Sequence, residues 1–243
     1  PELFEAHLGL GIALDLQGKY AEGRKHLEQA LARATDNTRS TALGALAVAS
    51  VSDGKTAEAA KYYQQQFDMQ STGDALEGAA STANALGRLY LETGDIESAE
   101  RWYRTGYETS QKLSGLPVDQ VDLWQMRWLH AQSRIAARRG DAVNALRLAT
   151  ELGALVSKNA ENQKQQGIHA YLLGYNALYL GRPATALSVL LWSLLLQGGF
   201  NFERLQNLGF WWIMRPMLDR LHPDRAERAK AYRRHLVYFN THP

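Results

Sequence analysis

LGRLYLETGDIESA, Leu86 to Ala99, is the stretch from which the fold can be read. Leu86, Gly87, Tyr90 and Leu91 place apolar or small residues at helical steps, and the run ends at Gly94. A glycine just past a helix lets the chain enter the left-handed region at no Cβ cost, so Gly94 predicts a tight turn. Asp95 then stands where a helix-capping residue belongs, and Ile96, Ala99, Tyr103 and Tyr107 fall on one face of a second helix. The stretch is a helical hairpin.

The phrase recurs. LGIALDLQGKYAEG from Leu10, LAVASVSDGKTAEA from Leu46, QSRIAARRGDAVNA from Gln132 and LGYNALYLGRPATA from Leu173 repeat its order of apolar step, glycine and Ala-centred restart. The turn glycines are Gly18, Gly54, Gly94, Gly140 and Gly181, spaced 36, 40, 46 and 41 residues apart. Thr56, Asp95, Asp141 and Pro183 start the second helices. Such units cannot bury their apolar faces alone and must stack in chain order.

Five copies fill residues 1–200, and 201–243 reads as a final capping pair, roughly 201–221 and 224–239, with Pro216 breaking the first of these helices. Residues 201–243 hold eight Lys/Arg against four Asp/Glu, which suits either a solvated cap or a basic docking surface. The fold class expected is all-α: a right-handed superhelical solenoid of antiparallel helix pairs, about twelve helices in all.

These residues resemble the tetratricopeptide repeat family, whose units carry Leu-Gly and Tyr on the first helix and Ala, an aromatic and a small residue on the second. In the third copy these are Leu86-Gly87, Tyr90, Ala99, Tyr103 and Gly106. In the first copy they are Leu10-Gly11, Leu14, Gly23, Leu27 and Ala30, and in the fifth Leu173-Gly174, Ala177, Ala186, Leu190 and Ser193. The second and fourth copies show Leu46-Ala47 and Gln132-Ser133 where the family has Leu-Gly. Every spacing exceeds the family's usual repeat of about 34 residues. In length the units are similar to those of bacterial transcriptional activators and peptide-sensing regulators.

The resemblance implies a concave face lined by the first helices and used to bind peptides. Carried onto this chain, groove positions are Leu8, Ile12 and Asp15; Gly44, Val48 and Val51; Asn84, Arg88 and Leu91; His130, Arg134 and Arg138; and Tyr171, Tyr175 and Tyr179. The peptide-binding set expected is Asn84, Arg88, His130, Arg134, Arg138, Tyr171, Tyr175 and Tyr179. Arginine gives two-point hydrogen bonding to carboxylates and tyrosine gives flat contact area, so an acidic or carboxylate-bearing peptide suits them. Solvated arginines and an aromatic core stripe are the plainer readings of the same residues.

Composition narrows the rest. A formal net charge of +2 in 243 residues gives no support for a nucleic-acid partner. The chain has no cysteine, which removes disulfides, thiol nucleophiles and Cys-based zinc sites, and fits a cytoplasmic or an exported chain. It opens on Pro1 rather than Met, the expectation for a processed or excised chain. The apolar run from Ala186 to Leu196 is far shorter than the ~20 residues that span a bilayer. No hydrolase, metalloprotease, P-loop or dinucleotide motif is present, and the seven histidines include no i, i+4 pair. A non-enzymatic, cofactor-free and metal-free protein or peptide scaffold is expected, with a ligand-sensing domain of a larger bacterial regulator as the alternative.

Overall fold

The computed structural model describes residues 2–72, 75–194, 224 and 226–228. Among them are eleven helices and no strand: α1 (Glu2–Leu16), α2 (Tyr20–Arg33), α3 (Asp36–Ser52), α4 (Thr56–Thr72), α5 (Leu76–Thr93), α6 (Ile96–Ser110), α7 (Val118–Arg138), α8 (Ala142–Val156), α9 (Ala160–Gln163), α10 (Gln166–Tyr179) and α11 (Pro183–Leu194). Five hairpins result, α1/α2, α3/α4, α5/α6, α7/α8 and α10/α11, with the single turn of α9 before the last.

The same local chemistry closes each hairpin. Gly18, Gly54, Gly94, Gly140 and Gly181 have φ of 77, 72, 90, 76 and 71°. The residue after each glycine donates its N–H to the carbonyl five residues back, as from Lys19 to Leu14 at 2.9 Å, Asp95 to Tyr90 at 3.0 Å and Arg182 to Ala177 at 2.7 Å. That bond satisfies a carbonyl the helix end would otherwise orphan. Asp95 Oδ1 then accepts from Ser98 N at 2.9 Å, and Asp141 Oδ1 from Asn144 N at 3.0 Å, so the expected caps start α6 and α8.

The glycine of the Leu-Gly pair has a different task. A Cβ on Gly87 would lie 2.7 Å from the Tyr103 ring, and one on Gly11 would lie 2.6 Å from Leu27. In each pair the large side chain of the second helix rests directly on first-helix backbone. Gly106 answers on the other side, where a Cβ would meet Asn84 Oδ1 at 2.8 Å and Ala80 O at 3.0 Å.

Two compact units divide the chain. The first, Pro1–Gly115, holds three hairpins. Phe4, Leu8, Leu27, Ala30, Ala42, Leu46 and Ala49 form a buried cluster in it. Polar ties join its hairpins: Arg24 reaches Glu58 at 2.7 Å and Asp53 at 3.4 Å, and Gln70 bonds Ser40 Oγ and Thr82. Phe67 of α4 meets Trp102 of α6 edge to face.

The second unit, Leu116–Pro243, contains α7 to α11. Met126, Leu129, Leu148, Leu152, Val156, Leu172, Leu173 and Val189 are among its core residues. Buried Asp122 accepts from Lys158 Nζ at 2.9 Å and from Asn162 Nδ2 at 2.8 Å, which fastens the α9 turn to α7. Asn176 donates to Ser133 Oγ at 2.8 Å, and Ser133 donates to the Ala145 carbonyl at 2.8 Å, so three helices share one buried polar pin. The expected cap at 201–243 lies outside the described residues except at 224 and 226–228, where Asp224 Oδ1 accepts from Ala226 N and Glu227 N at 2.9 Å.

Candidate functional site

Six of the eight expected binding residues meet on two helices of the second unit. α7 presents His130, Arg134 and Arg138 at four-residue steps, and α10 presents Tyr171, Tyr175 and Tyr179 at the same steps. Each pairs with the residue 41 positions later, the spacing that also separates Gly140 from Gly181. Equal steps on two packed helices produce a ladder.

Its rungs are aromatic and cationic. The His130 ring stacks on Tyr171 with centroids 5.9 Å apart. The Arg134 guanidinium lies 4.5 Å above the centre of the Tyr175 ring, and that of Arg138 lies 4.6 Å above Tyr179. Arg138 Nη1 also donates to the Tyr175 hydroxyl at 3.4 Å. Along α10 the tyrosine rings follow one another at 6.1 and 4.5 Å. A cation over an aromatic face is stabilised by roughly 0.5–2 kcal/mol, more as water is excluded.

His130 keeps the ladder from carrying three cations. Burial, then the Arg134 charge, then His169 push its pKa from 6.5 down to about 3, so the ring is neutral at physiological pH. Its Nε2 is shielded from solvent with no hydrogen-bond partner, and a second proton there would place an unpaired charge beside Arg134.

Burial separates the ladder into a support and a rim. Arg134 is 3% exposed and Tyr175 is 8% exposed. Both are covered within the unit, where they underlie the other members of the expected set. The same register is exposed at Ile12, Val48 and Arg88. Among the described residues at this register, a long guanidinium and a tyrosine cover one another only between the fourth and fifth repeats. Tyr171, Tyr179 and half-buried Arg138 remain accessible, flanked by Ile168 and Leu178 on the same face of α10.

The first unit holds the other two residues. Arg88 is exposed on α5, and its charge acts on Tyr63 of α4, whose hydroxyl pKa burial raises and Arg88 partly lowers again. Asn84 is half-buried against Gly106 and belongs to the α5/α6 contact. Ile12, Val48 and Val51 stay exposed, whereas Leu8, Asp15 and Leu91 are buried, a correction to their placement in the groove. Leu91 faces inward because it sits one helical turn after Gly87, on the side that carries Tyr103. Among the described residues there is no group of three or more His, Asp or Glu that could hold a metal ion, and no helix is long and apolar enough to cross a membrane.

Helical hairpins closed by left-handed glycines, packed through glycines that seat a large side chain of the second helix and stacked on their neighbours within each unit, define a helical-repeat protein. The first three hairpins match models of the tetratricopeptide repeat family, over residues 5–29 and 38–112. The TPR-like repeats of a kinesin light chain from Podosopora anserina have the same fold, with a TM-score of 0.56 and 15% identity over 90% of this chain and 97% of that one. A Q17M form of those repeats gives a TM-score of 0.58 and 18% identity over 80% of this chain and 94% of that one.

The C-terminal segment matches something else. Residues 182–243 fit the PTS system mannose/fructose/sorbose family IID component. The sorbose-specific EIID component of Klebsiella pneumoniae is 50% identical over 56 residues, 23% of this chain and 20% of that protein. The mannose-specific EIID component of Escherichia coli K12 is 54% identical over the same length and the same shares. The chain thus spans about a fifth of these curated relatives. Reading 201–243 as a capping helix pair gave no sign of this similarity. The break in glycine spacing after Gly181 was the signal available.

Proposed function

We propose that the repeat region is a non-catalytic interaction scaffold whose second unit binds an extended, carboxylate-bearing peptide along the α7/α10 ladder. The observation that carries this is the rim itself: Tyr171 and Tyr179, 55% and 41% exposed, stand beside Arg138 over a buried Arg134–Tyr175 rung. The buried rung fixes tyrosine rotamers in advance, so little side-chain entropy is lost on binding. Arg138 then meets a carboxylate while the tyrosine faces and Ile168 and Leu178 cover apolar residues beside it. Arg88, with exposed Ile12, Val48 and Val51, gives the first unit a similar pairing of one cation with apolar surface.

The test is fluorescence anisotropy with an acidic peptide pool against wild type, Arg138→Ala and Arg88→Ala. Arg138→Ala weakens binding by roughly tenfold or more, the loss of one charge-assisted contact, and a matched basic pool does not bind. Unchanged affinity in Arg138→Ala refutes the assignment.

A second reading rests on the C-terminal match. The segment 182–243 is part of a sugar-transport IID component, and the repeats bring a protein partner to that component. Its test is affinity purification of the full gene product from cells grown on mannose or sorbose. Co-purification of sugar-transport subunits that is lost on deletion of 182–243 supports it, and their absence refutes it. We likewise propose that 201–243 caps the helical repeats.

A further inference from the structure

Outside the ladder, the first hairpin brings two imidazoles together. His7 Nδ1 and His26 Nδ1 lie 3.0 Å apart, with ring centroids at 5.2 Å. The helices that carry them are locked at close range: a Cβ on Gly11 would meet the Gly23 carbonyl oxygen at 3.0 Å, and one on Gly23 would meet that of Gly11 at 2.9 Å. The nitrogen separation is therefore set by backbone packing, not by two free side chains. Both residues are half-buried, so solvent reaches the pair.

At this separation two ring nitrogens share one proton as they stand or, with the rings turned so that their lone pairs converge, hold one metal ion. Ligand nitrogens about 2.0–2.1 Å from an ion lie about 3.3–3.4 Å apart on a tetrahedral centre and about 2.8–3.0 Å apart when cis on a square-planar or tetragonal one. The observed gap fits the second geometry. We infer that His7 and His26 form a cis-bidentate site for a divalent transition ion of tetragonal preference, Cu2+ before Ni2+, with water completing the shell. This departs from the expectation of no metal, which rested on the absence of i, i+4 histidine pairs; the ligands here come from two helices.

The proton balance is simple. In the metal-free pair one Nδ1–H donates to the other Nδ1; on binding, the donor ring gives its Nδ1 proton to solvent and takes one at Nε2, so both rings are neutral Nε2–H tautomers with their Nδ1 lone pairs on the ion, with no net proton release and no redox change. The Arg33 charge acts on His7 and opposes an incoming cation, so binding is weaker than two imidazoles alone give.

The experiment is a Cu2+ titration of the untagged full chain in a non-coordinating buffer, followed by electron paramagnetic resonance. One equivalent with an axial, two-nitrogen spectrum is expected. His7→Gln and His26→Gln each weaken binding by at least about tenfold, the scale at which even supporting partners of a metal ligand act. His222→Gln leaves the signal intact. Proton NMR of the folded wild type gives a reading independent of variant folding: substoichiometric Cu2+ broadens the His7 and His26 ring resonances before any other histidine's. No uptake at one equivalent, a signal that survives both substitutions, or prior broadening of other histidines overturns the site.

Discussion

Acidification tests the ladder through His130. The unfolded chain protonates this histidine near 6.5, whereas the folded chain resists protonation down to about 3. Between those values the unfolded state binds more protons, so the stability that neutral His130 supplies is fully present above 6.5 and lost progressively as pH falls toward 3. At 1.36 kcal/mol per pH unit, moving from pH 8 to pH 5 costs about 2 kcal/mol at this one residue. His130→Phe keeps a ring to stack on Tyr171 and removes the unpartnered Nε2, so at pH 8 it leaves stability unchanged or raises it. Urea denaturation of both proteins at pH 8, 6.5 and 5 gives the comparison, and the difference between their pH slopes cancels every other titrating group. Wild type is expected to lose about 2 kcal/mol more than the variant. Equal losses in the two proteins refute the buried, neutral His130.

Three further outcomes follow from the packing. Gly87→Ala drives a methyl to 2.7 Å from the Tyr103 ring and destabilises by roughly 1–3 kcal/mol in thermal melts, and Tyr103→Leu in the same chain recovers part of the loss. Arg24→Ala removes the contacts to Glu58 and Asp53 and costs roughly 1.5–3 kcal/mol, read as a lower urea midpoint. Asp122→Ala takes one of two acceptors from the Asn162 amide, leaving the Leu155 carbonyl, and loosens α9, seen as faster hydrogen exchange at 159–165. Burial raises the Asp122 pKa, but Asn162 and Lys158 outweigh it and hold the value below 3.8, so this anchor persists at neutral pH and is lost as pH falls through that depressed value.

Turns and pairings were legible because they rest on local chemistry. A glycine followed by Asp or Thr and an Ala-centred helix fixes a hairpin in a dozen residues, and all five turn glycines have the expected left-handed backbone. The 41-residue repeat between Gly140 and Gly181 also implied that residues of α7 meet their counterparts in α10, which the ladder obeys. Exposure was not legible, since it depends on what stands opposite. Arg134 and Arg88 share a register, yet only Arg134 has a tyrosine to cover it. Nor were the polar pins readable: Asn176 to Ser133 and Asn162 to Asp122 join residues 43 and 40 apart through geometry that no periodic pattern encodes. The His7–His26 pair, 19 residues apart, is hidden for the same reason.

The ladder's rim as a peptide-binding surface is measured most directly by side-chain NMR. Titration of an acidic peptide into protein labelled at tyrosine and arginine is expected to shift Tyr171, Tyr179 and Arg138 together, with Arg134 and Tyr175 following only slightly because they are already covered. Shifts confined to other residues, or no shifts at saturating peptide, contradict it.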